Sequence, residues 1–248
     1  MLTRVLKRAI RTHADSEHPK ECCGVIVEGK YYQCRNVASN SDGEAQIHPD
    51  DIREFDGKIE AYVHSHPNAS SRASQADLVQ MEFFGKPYII VGQDPEDFSI
   101  YHPSGYQAPL IGRKFFHGVL DCYSLVKDFY ERELGINIPD FDRQDKWWED
   151  PSNESLYIQN FKKAGFIEVD DMQYGDVIIT TVGNTVHPNH ALIYLASNGK
   201  LKSEDSTEVM ASSLVLHHMY GRKSLREIYG DQWKAKTNIV VRHKELIK

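Results

Sequence analysis

The sequence predicts an α+β protein of two domains, residues 1–105 and 106–248. Strand and helix patterns alternate through the first hundred residues, as expected for a sheet covered by helices. Proline, glycine and serine then cluster around Gly105 and continue to Gly112, which is typical of a domain boundary. Beyond this cluster, a helical pattern precedes several short apolar runs of strand length. A chain of 248 residues is long enough for two small domains with separate cores.

The first domain is predicted to contain three helices and five strands. Apolar residues at helical spacing, a glycine hairpin turn and apolar runs of strand length mark these elements. The predicted helices are Leu2–Thr12, Pro49–Phe55 and Leu78–Phe84, and the predicted strands are Cys23–Val27, Tyr31–Ala38, Ile59–Val63, Pro87–Gly92 and Phe98–Tyr101. The polar segment Asp15–Lys20 is expected to separate the first helix from the first strand.

A His-x-His-Pro sequence, which contains His64 and His66, directly follows the third predicted strand. Residues two apart on a strand share a face, so both imidazoles are expected to point the same way. Asp77 lies on the first turn of the next helix and is expected to return towards them. Two histidines, one aspartate and an open fourth position are typical of a catalytic zinc site. Taken alone, Ser74 and Asp77 also fit a capping box, and a single histidine fits a core position.

The spacing His-x-His-Pro, six residues, Ser, two residues, Asp resembles the motif of JAMM (MPN) metallopeptidases. The resemblance implies a mixed sheet with flanking helices and one zinc ion on His64, His66 and Asp77. It also implies that Ser74 stabilises the tetrahedral intermediate and that Glu21 is the catalytic base. The alternative for Glu21 is a solvated carboxylate at the end of a strand.

The second domain opens with a cysteine at the predicted start of a helix. Asp121 is a good N-cap, and apolar residues follow Cys122 at helical spacing up to Gly135. The positive end of the helix dipole favours a thiolate, so we expect the pKa of Cys122 to be lowered. A lone cysteine at such a position is more often inert, and partners are needed to indicate catalysis.

Candidate partners lie on three predicted strands, Gly175–Thr180, His190–Leu195 and Leu214–His217. His190 begins the second strand, where its side chain can face the helix. A cysteine on a helix, a histidine base and a third group that orients the histidine form a nucleophilic triad.

This half resembles the NlpC/P60 cysteine peptidases. The matching pieces are Asp121-Cys122, Gly175-Asp176-Val177, Asn189-His190 and Leu216-His217. The resemblance implies a papain-like domain, with a helix packed on an antiparallel sheet. It also implies Cys122 as nucleophile, His190 as base and His217 as the orienting residue.

The sequence departs from the NlpC/P60 pattern at two points. The family usually has Ser or Thr straight after the cysteine, whereas Tyr123 stands here. A long polar segment precedes His217 and leaves its neighbour His218 open as the third triad member. His187 is a weaker competitor of His190.

The two domains in this order resemble the tail tip assembly protein K family of lambda-like phages. The segment before Asp121-Cys122-Tyr123 and the closing Asp231-Gln232-Trp233 carry this likeness. It implies other tail tip proteins as partners and synthesis in the host bacterial cytoplasm, with the virion tail as an alternative location.

The expected function is tail assembly combined with peptidase activity. By resemblance, the thiol site would be an endopeptidase that cuts the peptide stem of peptidoglycan beside D-glutamate. The zinc site would cut a peptide or isopeptide bond. The alternative is a structural tail component in which both sites are relics. A deubiquitinating enzyme is disfavoured by the attached cysteine peptidase half and by the absence of a ubiquitin-binding insert.

Composition and charge narrow the classes of protein to which the chain can belong. The net charge of −7 indicates no broad cationic surface for nucleic acid. No segment is apolar enough to span a bilayer, and residues 1–13 lack the apolar core of a secretory signal. The four cysteines, Cys22, Cys23, Cys34 and Cys122, are expected to be reduced thiols.

Overall fold

The chain folds into two compact units, which divide between Gln107 and Ala108 in a computed structural model. The structure describes residues 2–152, 154–197 and 199–247. Helices and strands occur in both units, and each unit has its own sheet, which confirms the predicted α+β class. Within the described residues, no helix is long and apolar enough to cross a membrane.

The described part of the first unit contains three helices and five strands. In chain order they are α1 Arg4–Glu17, β1 Cys23–Val27, β2 Lys30–Cys34, α2 Pro49–Ile52 with a 3-10 turn at Arg53–Phe55, β3 Ile59–Ser65, α3 Gln75–Phe84, β4 Tyr88–Val91 and β5 Phe98–Tyr101. The strands form one sheet in the order β2-β1-β3-β4-β5. This sheet is mixed, as predicted, because β3 and β4 run parallel while the other neighbours are antiparallel.

Strand β1 lies inside this sheet and is buried along its whole length. On one face, Leu6 and Ile10 of α1 pack against a cluster that includes Ile26 of β1. A glycine is required at Gly24, since a Cβ atom there would lie 2.4 Å from the carbonyl oxygen of Tyr32. The close approach of β2 therefore depends on the missing side chain.

The first helix is longer than predicted, because it continues through the polar residues to Glu17. Its polar side chains support the extra turn, with Arg11 and His13 placed four residues before Asp15 and Glu17. The helix stops before Pro19, since a residue that precedes proline disfavours the helical conformation.

The second strand is shorter than predicted and ends at Cys34. Beyond this point the side chain of Asn36 forms hydrogen bonds with backbone groups that a longer strand would have paired. Its amide nitrogen donates to the carbonyl oxygens of Glu21 and Glu44, and its oxygen accepts from the amides of Ala38 and Gln46. A side chain that satisfies the backbone in this way replaces the ladder of a strand.

The described part of the second unit contains three helices and six strands. They are α4 Cys122–Phe129, which continues as a π-type turn at Tyr130–Leu134, a 3-10 turn at Trp147–Glu149, α5 Leu156–Asn160, β6 Phe166–Glu168, β7 Val177–Thr180, β8 His190–Ala196, β9 Leu214–His217, β10 Leu225–Ile228, α6 Asp231–Lys234, β11 Thr237–His243 and a 3-10 turn at Lys244–Leu246. The strand order is β10-β9-β8-β7-β11-β6, and every described pairing is antiparallel.

Helix α4 packs on one face of this antiparallel sheet, which confirms the predicted arrangement. Leu125 and Phe129 belong to the same core cluster as Ile193 of β8 and Leu216 of β9. Tyr229 and Trp233 cover the opposite face. This packing places the first turn of α4 near the beginning of β8, where the candidate catalytic residues lie.

Candidate metal and thiol sites

The side chains of His64, His66 and Asp77 converge in the first unit. Nε2 of His64 lies 3.2 Å from Nε2 of His66 and 3.2 Å from an oxygen of Asp77. Nε2 of His66 lies 3.5 Å from the other oxygen of Asp77. All three donor atoms lie within 4.8 Å of one another. Two imidazoles and a carboxylate at this spacing fit a zinc ion.

The orientation of His66 is set by the loop that follows β3. Its Nδ1 lies 2.9 Å from the carbonyl oxygen of Ser70, an acceptor that favours the proton on Nδ1. Nε2 is therefore left as a lone-pair donor. Ser71, the next residue, is held by Asp97, whose carboxylate accepts from its amide at 2.8 Å and from its hydroxyl at 2.5 Å.

Asp77 combines the predicted helix cap with a position beside the histidines. Its carboxylate accepts from the amide of Ser74, and the hydroxyl of Ser74 accepts from the amide of Asp77. Burial opposes ionisation, but the charge of His64 and bonds with both histidines lower the pKa of Asp77. The cap uses the Ser74 hydroxyl as an acceptor, which leaves its proton available to a ligand.

Glu21 lies two residues before the start of β1, and the register of the sheet brings it near His64 and His66. The next residues of that strand pair with the end of β3, where Cys23 stands opposite His64. Glu21 is only 5% exposed, so the alternative of a solvated carboxylate is wrong. Burial raises its pKa to about 7, although His64 and His66 oppose the shift. A carboxylate with this pKa is well matched to proton transfer near neutral pH.

Cys122 is the first residue of α4, as predicted from the cap at Asp121. Asp121 and Ser124 form a reciprocal capping box, and Arg143 donates to the Asp121 carboxylate at 2.8 Å. The sulfur of Cys122 lies 3.0 Å from the hydroxyl oxygen of Tyr157.

The expectation of a lowered pKa for Cys122 is wrong. Burial, followed by the neighbouring charge of Asp121, raises the pKa of this thiol to about 11. The bond from Tyr157 opposes the shift. The prediction considered only the helix dipole, which lowers the pKa of a thiol. Desolvation of the thiolate raises this pKa and has the larger effect here.

His190 and His217 form a relay on neighbouring strands. Nε2 of His190 lies 3.1 Å from Nδ1 of His217, and Nε2 of His217 lies 2.9 Å from a carboxylate oxygen of Glu227. The carboxylate favours a proton on Nε2 of His217, so its Nδ1 accepts from His190. Nδ1 of His190 is then left unprotonated, with a lone pair that is able to accept a proton. Burial, with the charges of His217 and His218 next, lowers the pKa of His190 well below its usual value.

The structure distinguishes between His217 and His218, which the sequence left as alternatives for the third triad member. His217 contacts His190, whereas Nε2 of His218, a residue that also lines the cavity, lies 3.0 Å from the carbonyl oxygen of Arg222. Successive residues of a strand face opposite sides, which explains the difference. His187 lies before β8 in a loop, and His190 is the residue that enters the relay.

Cys122 and His190 line one cavity of about 280 Å³. Its walls are rich in aromatic side chains, including Phe115, Trp147 and Trp148. A concave site that joins a thiol, a basic imidazole and apolar walls can hold a peptide segment against the nucleophile.

Three residues of the thiol site were not predicted from the sequence. Glu227 on β10 extends the relay, Trp233 on α6 donates to that carboxylate at 2.5 Å, and Tyr157 on α5 contacts the thiol. No motif marked Glu227 or Tyr157, and Trp233 was noted only within the closing Asp231-Gln232-Trp233 that carries the family likeness. Each of the three comes from a segment for which no helix or strand was predicted. The available signal for Glu227 and Trp233 was the presence of an acidic and an aromatic residue in the segment after the last predicted strand.

Two protein families match the sequence. The NlpC/P60 family matches residues 85–242, and the prokaryotic homologs of the JAB domain match residues 3–102. The NlpC/P60 match spans more than half of the chain, so the protein belongs to that family through this region. The two matched ranges overlap at residues 85–102, which lie in the first unit.

A relative from a phage matches nearly the whole chain. The tail tip assembly protein K of Escherichia phage N15 is 32% identical over 245 residues, which cover 96% of this chain and 94% of that protein. The chain belongs to the tail tip assembly protein K family. The family member from Escherichia phage lambda is 36% identical over 193 residues, which cover 77% of this chain and 85% of the lambda protein. The family predicted from the two motifs is therefore confirmed.

Two solved structures are similar to part of this member of the tail tip assembly protein K family. One, described as a JAMM metalloprotease-like zinc site in the proteasome and signalosome, is 29% identical, covers 43% of this chain and 89% of its own, and has a TM-score of 0.29. A JAB1/MPN domain protein from Archaeoglobus fulgidus is 27% identical, with 42% and 86% covered and a TM-score of 0.28. At these scores the likeness adds nothing to the geometry of the sites.

Proposed function

We propose that this protein is a phage tail tip assembly protein with two hydrolytic sites. The second unit is a cysteine peptidase and the first is a zinc-dependent peptidase. The observation that carries the proposal is the cavity lined by Cys122 and His190, with His190 in contact with His217, which in turn lies beside Glu227. Family membership supports the role in assembly, with other tail tip proteins as partners. The host cytoplasm and the virion tail are the locations that fit this role.

Hydrolysis in the second unit begins with proton transfer from Cys122 to Nδ1 of His190. His217 accepts from Nε2 of His190 and, with Glu227 beside it, stabilises the imidazolium. The thiolate attacks a peptide carbonyl, the imidazolium protonates the leaving amine, and water releases the acyl group. The backbone amide of Cys122, at the start of α4, is positioned to donate to the oxyanion.

The proposed substrate of the thiol site is the peptide stem of peptidoglycan, cut beside D-glutamate. The NlpC/P60 match supports this substrate, because the bond is the one that the family resemblance implies. Digestion of purified peptidoglycan, read as newly exposed peptide ends, tests the proposal.

The alternative is a tail component without catalysis at the thiol site. One observation favours it. The thiol of Cys122 is neutral at physiological pH and is bonded to Tyr157 rather than to His190. The same digestion separates the two functions, since a structural component would release no peptide.

The metal centre of the first unit is proposed to hold one zinc ion on His64, His66 and Asp77. A zinc ion held there would supply Lewis-acid activation of water. The buried carboxylate of Glu21 would accept a proton from that water, and the hydroxyl of Ser74 would donate to the developing oxyanion. The proposed bond is a peptide or isopeptide bond.

Glu21→Gln is expected to retain zinc and to lose hydrolysis by the first unit. Glutamine keeps the size of the side chain but cannot accept the proton, which typically costs about 10²- to 10⁴-fold in rate. Zinc content and peptide cleavage, measured on the same preparation, check this prediction. Cleavage at the wild-type rate would show that Glu21 is not the base.

Asp97→Ala is expected to weaken zinc binding about 10-fold, because the loop that orients His66 loses its anchor at Ser71. The matched control is Asp94→Ala, since the Asp94 carboxylate accepts a hydrogen bond from the nearby amide of Glu96. Competition with a chelator of known affinity measures both variants. Equal zinc affinity in the two variants would exclude the proposed anchoring.

A further inference from the structure

The thiol of Cys122 is held by a tyrosine rather than by the histidine base. Its sulfur lies 3.0 Å from the hydroxyl oxygen of Tyr157. Within residues 2–152, 154–197 and 199–247, no hydrogen bond joins this sulfur to His190. Instead, Nε2 of His190 lies 3.1 Å from Nδ1 of His217.

Helix α5 is tied to both halves of the thiol site. Tyr157, on its first turn, reaches the nucleophile. The hydroxyl of Ser155, its N-cap, donates to the carbonyl oxygen of Pro188 at 2.9 Å, two residues before His190. The ring centroid of Tyr157 lies 6.3 Å from that of Tyr123 and 6.5 Å from that of Trp147. The segment that carries α5 therefore links the nucleophile with the start of β8.

The surroundings of Cys122 make a donor at its sulfur necessary. Burial and the neighbouring carboxylate of Asp121 both disfavour the thiolate. Arg143 offsets only part of this charge, because it is also bonded to Asp140. Burial, then the nearby Cys122, raises the pKa of Tyr157 well above its usual value, so its hydroxyl keeps its proton. A protonated hydroxyl at this distance is a hydrogen-bond donor to a developing thiolate.

We propose that Tyr157 is a catalytic residue of the thiol site, whose hydroxyl donates to Sγ of Cys122 and stabilises the thiolate during attack. The proton of the thiol passes to Nδ1 of His190, and the O–H bond of Tyr157 stays intact. This role rests on the proposed cysteine peptidase. The competing role is that of a cover, in which the tyrosine only shields the sulfur from solvent.

The test is the alkylation rate of Cys122 by iodoacetamide in the full-length protein between pH 7 and pH 9.5. Mass spectrometry of the peptide that contains Cys122 gives the rate for wild type, Tyr157→Phe and Tyr130→Phe. Phenylalanine keeps the ring and removes only the hydroxyl. Tyr130→Phe is the matched control, because the Tyr130 hydroxyl donates to the carbonyl oxygen of Gly175 and Tyr130 does not line the cavity. Circular dichroism checks that both variants are folded.

Tyr157→Phe is expected to react about 10-fold more slowly at each pH, with its rate profile displaced to higher pH, since a hydrogen bond to a charged group is lost. Tyr130→Phe is expected to react like wild type. An equal or faster rate in Tyr157→Phe would overturn the proposal and identify a cover.

A hydrolysis assay distinguishes the failure of this proposal from the failure of the proposed function. If wild type cuts peptide, Tyr157→Phe is expected to lower kcat with little change in KM, and an unchanged kcat would overturn the catalytic role alone. If wild type cuts no peptide, the proposed function and the catalytic role of Tyr157 both fail, whereas a slower alkylation would still identify the hydroxyl as the donor to Sγ.

Discussion

His190→Ala is expected to lower thiol-dependent hydrolysis by about 10³-fold or more. Cys122 is a neutral thiol with a raised pKa, so its attack requires a base at the moment of reaction. Nδ1 of His190 is the basic atom that the relay through His217 and Glu227 leaves available. Alanine removes this atom and leaves the thiolate a minor species at neutral pH. Initial rates on a stem peptide measure the effect.

The matched control for this variant is His187→Ala. His187 lies three residues earlier in the loop before β8 and takes no part in the relay. It is expected to hydrolyse the stem peptide at a rate close to that of wild type. A His190→Ala rate within tenfold of wild type would show that His190 is not the base.

His66→Ala is expected to reduce bound zinc from about one ion per chain to background. The site then retains only His64 and Asp77. It loses the Nε2 lone pair of His66, which the contact between Nδ1 and the Ser70 carbonyl leaves available for a metal. Elemental analysis after dialysis measures the zinc content. His102→Ala is the control, because His102 is exposed and lies outside the cluster of donors. Equal zinc in wild type and His66→Ala would exclude the proposed centre.

Much of the sheet structure could be predicted because the strands are short apolar runs with clear turns. Strand β1 has its predicted bounds, and β9 does too. The end of α1 was misplaced because the apolar periodicity used for the prediction stops before Asp15, whereas the helix continues through polar residues to Glu17. Strand β11 was not predicted, and its place between β7 and β6 depends on pairing with segments far away in the sequence.

The convergence of His64, His66 and Asp77 could be predicted because local rules position these residues. Alternation along β3 orients His64 and the following loop carries His66, while the cap of α3 fixes Asp77. The thiol site was predicted less completely. Glu227 and Tyr157 reach it from separate segments, so only the tertiary fold reveals their contacts. The direction of the Cys122 pKa shift also depends on burial, which a helix start alone does not indicate.

The central claim is that the second unit is a working cysteine peptidase that does not depend on the metal centre. Digestion of purified peptidoglycan by wild type, Cys122→Ala and His64→Ala tests it most directly, with newly exposed amino groups as the readout. Wild type and His64→Ala are predicted to release stem-peptide fragments at similar rates, and Cys122→Ala is predicted to release none. Equal release by wild type and Cys122→Ala, or no release by wild type, would contradict the claim.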